Sequence, residues 1–317
     1  MDNKIENKKK LNVKRLGIFC ACILVLLIVL IVFINSLIEE AKLKETIEYK
    51  LGEVGYSSGE IKLIKEELND KEIEKILNST YNKNLSKVIK EKYFIFSNLD
   101  KYLDYLNENS SVTPTKAISI VNTGANNEWY SNIKETDTSK NELMLVNKFY
   151  GLSESYEPSD LVNVSSTYGY EGKKVSESIY DSLTNMLDAA KENGYTLLVN
   201  QGYRSYADQL EAYTDIEDVN GTEVADARAA RAGHSEYQTG LSVELSTYGA
   251  EVGTETEWLL DNSYRFGFVV RYPEGTSDIT CFTSDAWRVR YVGRDVATKM
   301  HNENITFDEY YEFYLNK

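Results

Sequence analysis

From Leu16 to Ile38 the chain runs 23 residues without a charged side chain, and no other feature constrains its folding as strongly. A helix of that length spans the apolar core of a bilayer, about 30 Å thick. Before the run stand Lys4, Lys8, Lys9, Lys10, Lys14 and Arg15 against Asp2 and Glu6. This bias predicts a cytoplasmic tail at 1–15, a single-pass anchor in the cell membrane at 16–38, and an extracytoplasmic remainder. A cleaved signal peptide is the rival reading. The run is long for one, and no A-x-A-like site precedes Glu39, so a retained anchor is expected. With six basic and two acidic residues ahead of the run, the net charge of −15 leaves about −19 for the remainder, a surface that repels nucleic acid. Cys20 and Cys22 fall inside the run, which leaves Cys281 alone outside it and allows no disulfide framework there. His234 and His301 are the only histidines, too few for an ordinary zinc site.

Residues 39–111 are rich in Lys, Glu, Ile and Leu and predict a helical stalk or small helical module. Ser57 with Glu60 and Asn69 with Glu72 have the spacing of capping boxes. Ile61, Ile64 and Leu68, then Ile73, Ile76 and Leu77, follow at helical spacing. The polar break Asn107–Thr115 marks the expected start of a second domain at 112–317. There the pattern predicts short strands at Ala117–Val121 and Leu143–Val146, a helix over 174–193 ended by Gly194, and a buried strand at Thr196–Val199. Further strands are expected at Ser242–Leu245, Phe268–Arg271 and Val289–Val292, followed by a helical segment over Arg294–Leu315. This mixed order predicts an α+β fold. At 42% apolar residues, the chain can bury one sizeable core and a smaller one.

Six ordered segments carry a family likeness: L-V-N-K at 145–148, M-L-D-A-A-K at 186–191, G-Y-R-S-Y-x-x-Q at 202–209, H-S-E-Y-Q-T-G-L at 234–241, R-F-G-F-V-V-R-Y-P at 265–273 and W-R-V-R-Y-V-G at 287–293. Over roughly 141–317 the chain resembles the VanY-type D-alanyl-D-alanine carboxypeptidases, zinc peptidases of the LAS type in the bacterial envelope. The resemblance implies a LAS-type peptidase fold. It also implies a zinc ion held by His, Asp and His, a glutamate that activates water, and an arginine with polar helpers that fixes the terminal carboxylate of a peptidoglycan stem peptide. Arg204 matches that arginine, and Gln209 and Ser235 match the helpers. The frame S-x-[His]-x-x-G-x-x-x-[Asp] is present with Ser235 and Gly240 in place, but its ligand positions read Tyr237 and Glu244. The third ligand position, after Trp287, reads Arg288. Asp285 falls at the general-base position, one carbon shorter than glutamate, with Ala286 where proline is usual. Cys281 stands where the family commonly has glycine.

A glutamate can replace an aspartate as a ligand and a tyrosinate can serve, but a guanidinium has no lone pair to give and stays protonated. The resemblance therefore implies a protein that has lost its zinc and needs no other cofactor. Arg288 is expected to fill the vacated space and pair with Glu244, with the Tyr237 hydroxyl supplying a third bond. On this reading the chain is a membrane-anchored pseudo-peptidase that binds stem peptide at Arg204 or serves other envelope proteins as a scaffold or regulator. An active carboxypeptidase with an atypical metal shell and a purely structural ectodomain are the alternatives. His234 and His301 are read as loop and packing residues.

Overall fold

The computed structural model describes residues 13–247 and 254–316, so most of the expected cytoplasmic tail at 1–15 lies outside the described residues. The apolar run lies within a 32-residue helix, Val13–Lys44. Its stretch Ile18–Lys44 is long and apolar enough to cross a membrane, and its side chains there are exposed. The chain divides into two compact units between Lys90 and Glu91, ahead of the polar break expected to mark the boundary, and this helix belongs to the first.

In the first unit, short helices Ile47–Val54, Ser58–Glu67, Asp70–Leu77 and Leu85–Val88 enclose Leu51, Ile61, Ile64, Ile73, Ile76, Leu85 and Val88. Both expected capping boxes form: Glu60 reaches back to the Ser57 N–H, and Glu72 to that of Asn69. Each box ties down donors that have no partner within the helix.

The second unit is α+β, as predicted. Its central sheet contains β1 (Leu197–Gln201), β2 (Ser242–Thr247), β3 (Phe268–Tyr272) and β4 (Asp285–Tyr291) in the order β1-β2-β4-β3, every pair antiparallel. The helix Glu177–Glu192 covers the sheet with Ile179, Leu183, Met186, Leu187 and Ala190, which pack with Leu197, Val199, Val243, Leu245, Phe268 and Val289. Fully burying such a side chain is worth about 1.5–3 kcal/mol against leaving it in water. A second core gathers Leu145, Phe149, Val269, Val292, Met300, Phe307 and Tyr310.

Two expected strands are not strands. Ala117–Val121 lies in the helix Pro114–Thr123, which Thr113 caps at its start and Gly124 closes in the left-handed conformation. Residues 144–146 form no strand: the fully buried Arg290 guanidinium donates to the Met144 carbonyl at 3.0 Å, and the Thr136 hydroxyl donates to that of Leu145 at 2.9 Å. Side chains satisfy these carbonyls where a ladder would otherwise be needed.

The central sheet is irregular in two places. Between Val199 and Gln201 the β1–β2 register slips, leaving Asn200 as the extra residue beside Glu244. On β4 the stretch from Asp285 to Val289 spans only Tyr272 to Val270 of β3. Such bulges re-aim side chains that a regular strand would send to opposite faces.

Candidate peptide-binding site

The loop after β1 passes very close to its neighbour: a Cβ on Gly202 would lie 2.2 Å from the Lys174 carbonyl oxygen, so only glycine fits. Past this contact the chain turns outward, and Ser205 caps the helix Tyr206–Asn220 that carries Gln209. The loop opposite, 235–240, winds a single tight turn over Glu236–Thr239 and ends at Gly240 with φ +69°, against the backbone N–H of Ser176. Glycine adopts that conformation without steric cost. The close approach and the positive φ account for the glycines of G-Y-R-S and Q-T-G-L.

These loops bring Arg204, Gln209, Ser235 and Tyr237 together. The Arg204 N–H donates to the Tyr237 carbonyl at 3.1 Å, and its guanidinium donates to Gln209 Oε1 at 3.1 Å. Gln209 is buried and donates in turn to the Ala230 carbonyl at 2.7 Å, so it braces Arg204. Ser235 is also buried, and its hydroxyl accepts from the Tyr237 N–H at 3.4 Å. Among the described residues no carboxylate forms an ion pair with Arg204, whose guanidinium carbon lies 5.0 Å from the centre of the Tyr237 ring. Burial lowers the Arg204 pKa from its ordinary value and the charge of Arg288 acts in the same sense, while Tyr237 opposes them. Its charge, with no carboxylate in direct contact, is thus held in a partly desolvated place.

Tyr237, Glu244, Arg288 and Asp285 form the adjoining cluster. The Tyr237 hydroxyl donates to Glu244 Oε2 at 2.9 Å, and burial pushes its pKa up, which keeps it a neutral donor. Glu244 faces Arg288 directly across the β2–β4 ladder, yet Arg288 Nη2 lies 3.9 Å from Glu244 Oε2 and 3.0 Å from Asp285 Oδ2. The expected Arg288–Glu244 pair is therefore the looser contact, and Asp285 is the main partner. The β4 bulge makes this possible by letting residues three apart meet on one side. Asp285 also accepts from the Trp287 N–H at 3.2 Å. Burial works against the charge of Arg288, but Tyr237, Tyr272, Asp285 and Glu244 outweigh it and hold its pKa above the ordinary value. The guanidinium sits 4.7 Å from the Tyr237 ring centre and 5.3 Å from that of Tyr272.

Sequence reasoning missed two neighbours: Asn200, which donates to Glu244 Oε1 at 3.0 Å, and Tyr272. A bulge carries no fixed sequence signal, so nothing marked Asn200; Tyr272 sits in the quoted R-Y-P. The histidines lie in other surroundings. His234 shares a 2.7 Å hydrogen bond through Nδ1 with the Asn147 carbonyl and meets the Tyr130 ring edge-on, and burial lowers its pKa. His301 stacks on Tyr264 at 3.9 Å. Cys281 is buried with φ +62°, a conformation that suits glycine better.

Comparison with known proteins places this geometry. The family model described as D-alanyl-D-alanine carboxypeptidase, VanY, matches residues 172–294. Carboxypeptidase YodJ of Bacillus subtilis is 35% identical over 203 residues, which cover 58% of this chain and 74% of that protein. A D-alanyl-D-alanine carboxypeptidase of Enterococcus faecium is 29% identical over 192 residues, covering 57% and 61% respectively. The solved LdcB LD-carboxypeptidase, whose structure is described as revealing the molecular basis of peptidoglycan recognition, is 34% identical with a TM-score of 0.53, covering 58% of this chain and 91% of that one. With loops, sheet and motif order in agreement, this chain belongs to the VanY family of D-alanyl-D-alanine carboxypeptidases.

Proposed function

We propose that the chain is a membrane-anchored, extracytoplasmic VanY-family protein that binds the terminal carboxylate of a peptidoglycan stem peptide at Arg204 and does not hydrolyse it. The observation that carries this reading is Arg288. Its guanidinium is paired with Asp285 at 3.0 Å, with Glu244 at 3.9 Å, at the position where the family resemblance implies the third zinc ligand. A cation offers no lone pair to a metal and repels one by several kcal/mol at contact distance, even at an effective dielectric near 20. Tyr237 is a poor substitute ligand, because its raised pKa opposes the phenolate form. Among the described residues no three His, Cys, Asp or Glu side chains gather as a metal cage. The donor set does not fit zinc. Asp285, at the general-base position, is held by Arg288 and the Trp287 N–H.

The binding half of the site is differently equipped. Arg204 keeps its charge without an acid partner while Gln209 fixes its direction, an arrangement suited to two parallel hydrogen bonds to a carboxylate. The apolar helix supports an anchor, and the helices following it in sequence would act as a spacer. The test uses the full chain in detergent with a peptide ending in D-Ala-D-Ala. We expect binding that Arg204→Ala abolishes, and no D-alanine release with zinc in excess. Chelator-sensitive release of D-alanine would overturn the loss of hydrolysis, and no binding at millimolar peptide would overturn the binding role.

A further inference from the structure

Glu236 stands between two site residues, Ser235 and Tyr237, yet its own carboxylate is buried among other charges. Its Oε1 accepts from Arg271 Nε at 2.8 Å and lies 3.3 Å from Arg290 Nη1. Arg271 also donates to both carboxylate oxygens of Asp308, at 2.6 and 3.2 Å, and Asp308 Oδ1 accepts from Asn147 Nδ2 at 2.8 Å. The four charged side chains are 0–2% exposed, and their charges balance.

We infer that Glu236, Arg271, Arg290 and Asp308 are positioning residues that fix the 235–240 loop and, through it, the Arg204 guanidinium. The mechanical link is short. Glu236 is bonded to Tyr237, whose carbonyl accepts from the Arg204 N–H and whose ring lies against the Arg204 guanidinium. At its far end the loop is held by the Gly240 carbonyl, which accepts from the Ser176 N–H at 3.0 Å. Arg271 precedes Tyr272, which faces Arg288, and Arg290 follows Arg288 by two positions on β4, so the quartet adjoins the site along the same strands. Stability alone is a weak reason for such a group, because buried ion pairs seldom outperform apolar residues of the same volume. A bidentate arginine bonded to two acids from distant segments does confine the loop to one geometry.

This positioning role rests on the peptide-binding reading, and the experiment separates the two. Hydrogen exchange followed by mass spectrometry is run on the full chain in detergent for wild type, Glu236→Gln and Asp308→Asn, with peptide affinity measured in parallel. Glu236→Gln keeps the shape and removes the charge; Asp308→Asn perturbs the same group from outside the loop if the first variant fails to fold. Exchange in 203–209 and 235–241 should rise about tenfold or more while β2 and β4 stay protected, and affinity for a D-Ala-D-Ala-terminated peptide should fall by a similar factor. Loop exchange unchanged, or raised only in step with the whole unit, would overturn the positioning role. A selective rise in loop exchange in a protein whose wild type binds no peptide would sustain the positioning role and remove the peptide reading.

Discussion

Replacing Glu244 with alanine tests how the Tyr237–Glu244–Arg288–Asp285 cluster is held together. The change removes the acceptor of the Tyr237 hydroxyl, which is buried in a residue only 3% exposed. Leaving such a group unpaired costs about 1–3 kcal/mol. Asn200 is exposed and water can replace its lost bond, while the partly exposed Arg288 keeps Asp285 and forgoes a 3.9 Å contact worth at most about 1 kcal/mol. The total is about 1–4 kcal/mol. For a unit the size of Glu91–Lys317 that corresponds to a melting temperature lower by roughly 2–10 °C. Glu244→Gln keeps an oxygen for the phenol and should cost about 1 kcal/mol. Calorimetry of the three proteins at pH 7 decides the matter. If alanine and glutamine lower the melting temperature equally, or neither lowers it, the hydrogen bond from Tyr237 does not hold the cluster and the reasoning fails.

Three further outcomes are expected. Arg204→Lys should weaken a D-Ala-D-Ala-terminated peptide about tenfold or more in a titration, because an ammonium cannot reproduce the planar fork; equal affinity would argue against a bidentate clamp. The variant Tyr237→His, Glu244→Asp, Arg288→His and Asp285→Glu should retain about one zinc per chain by elemental analysis, as expected of a three-ligand site, where wild type retains none; a folded variant without zinc would show that these positions do not form the frame. Lys148 lies with its ammonium 3.4 Å from the Trp129 ring centre, and burial lowers its pKa from 10.5 to about 8. The unfolded chain holds this proton up to pH 10.5 but the folded one only up to 8, so the burden on stability is full below pH 8 and lifts as pH rises between the two. Denaturant unfolding should show that contribution growing by up to about 3 kcal/mol over this window in wild type relative to Lys148→Met, and parallel pH profiles would refute it.

Where the sequence was legible, one physical signal dominated. The apolar runs of β1 and β3 and the helical stripe from Ile179 to Ala190 lie where their patterns place them, whereas β4, with its alternating charges, starts four residues before the expected Val289. The misread segment Ala117–Val121 is a β-branched run that fits strand or helix, and the deciding marks were its flanks, Thr113-Pro114 before and Gly124 after. Residues 143–146 were misread because the Met144 carbonyl is taken by a side chain far along the chain, Arg290, and the Leu145 carbonyl by the Thr136 hydroxyl. In the site, Tyr237, Glu244 and Arg288 were singled out by the family resemblance, and the structure brings them together. The dominance of Asp285 over Glu244 as the partner of Arg288 depends on a bulge, which spacing does not encode. Arg271 sits inside F-V-V-R-Y, and nothing local marks its partners Glu236 and Asp308, which come from distant segments.

The two bulges beside Glu244 also bear on how such a protein can change over generations. Asn200, Glu244, Arg288 and Asp285 converge because of where the backbone slips register, so the addresses are set by main-chain geometry and not by the side chains that occupy them. Single substitutions at those addresses can exchange one chemistry for another while the sheet, the glycine turns and Arg204 stay as they are. A one-residue deletion between Asp285 and Val289 would instead scramble every address at once. Drift in function is therefore open to this fold by point mutation and closed to it by changes of length.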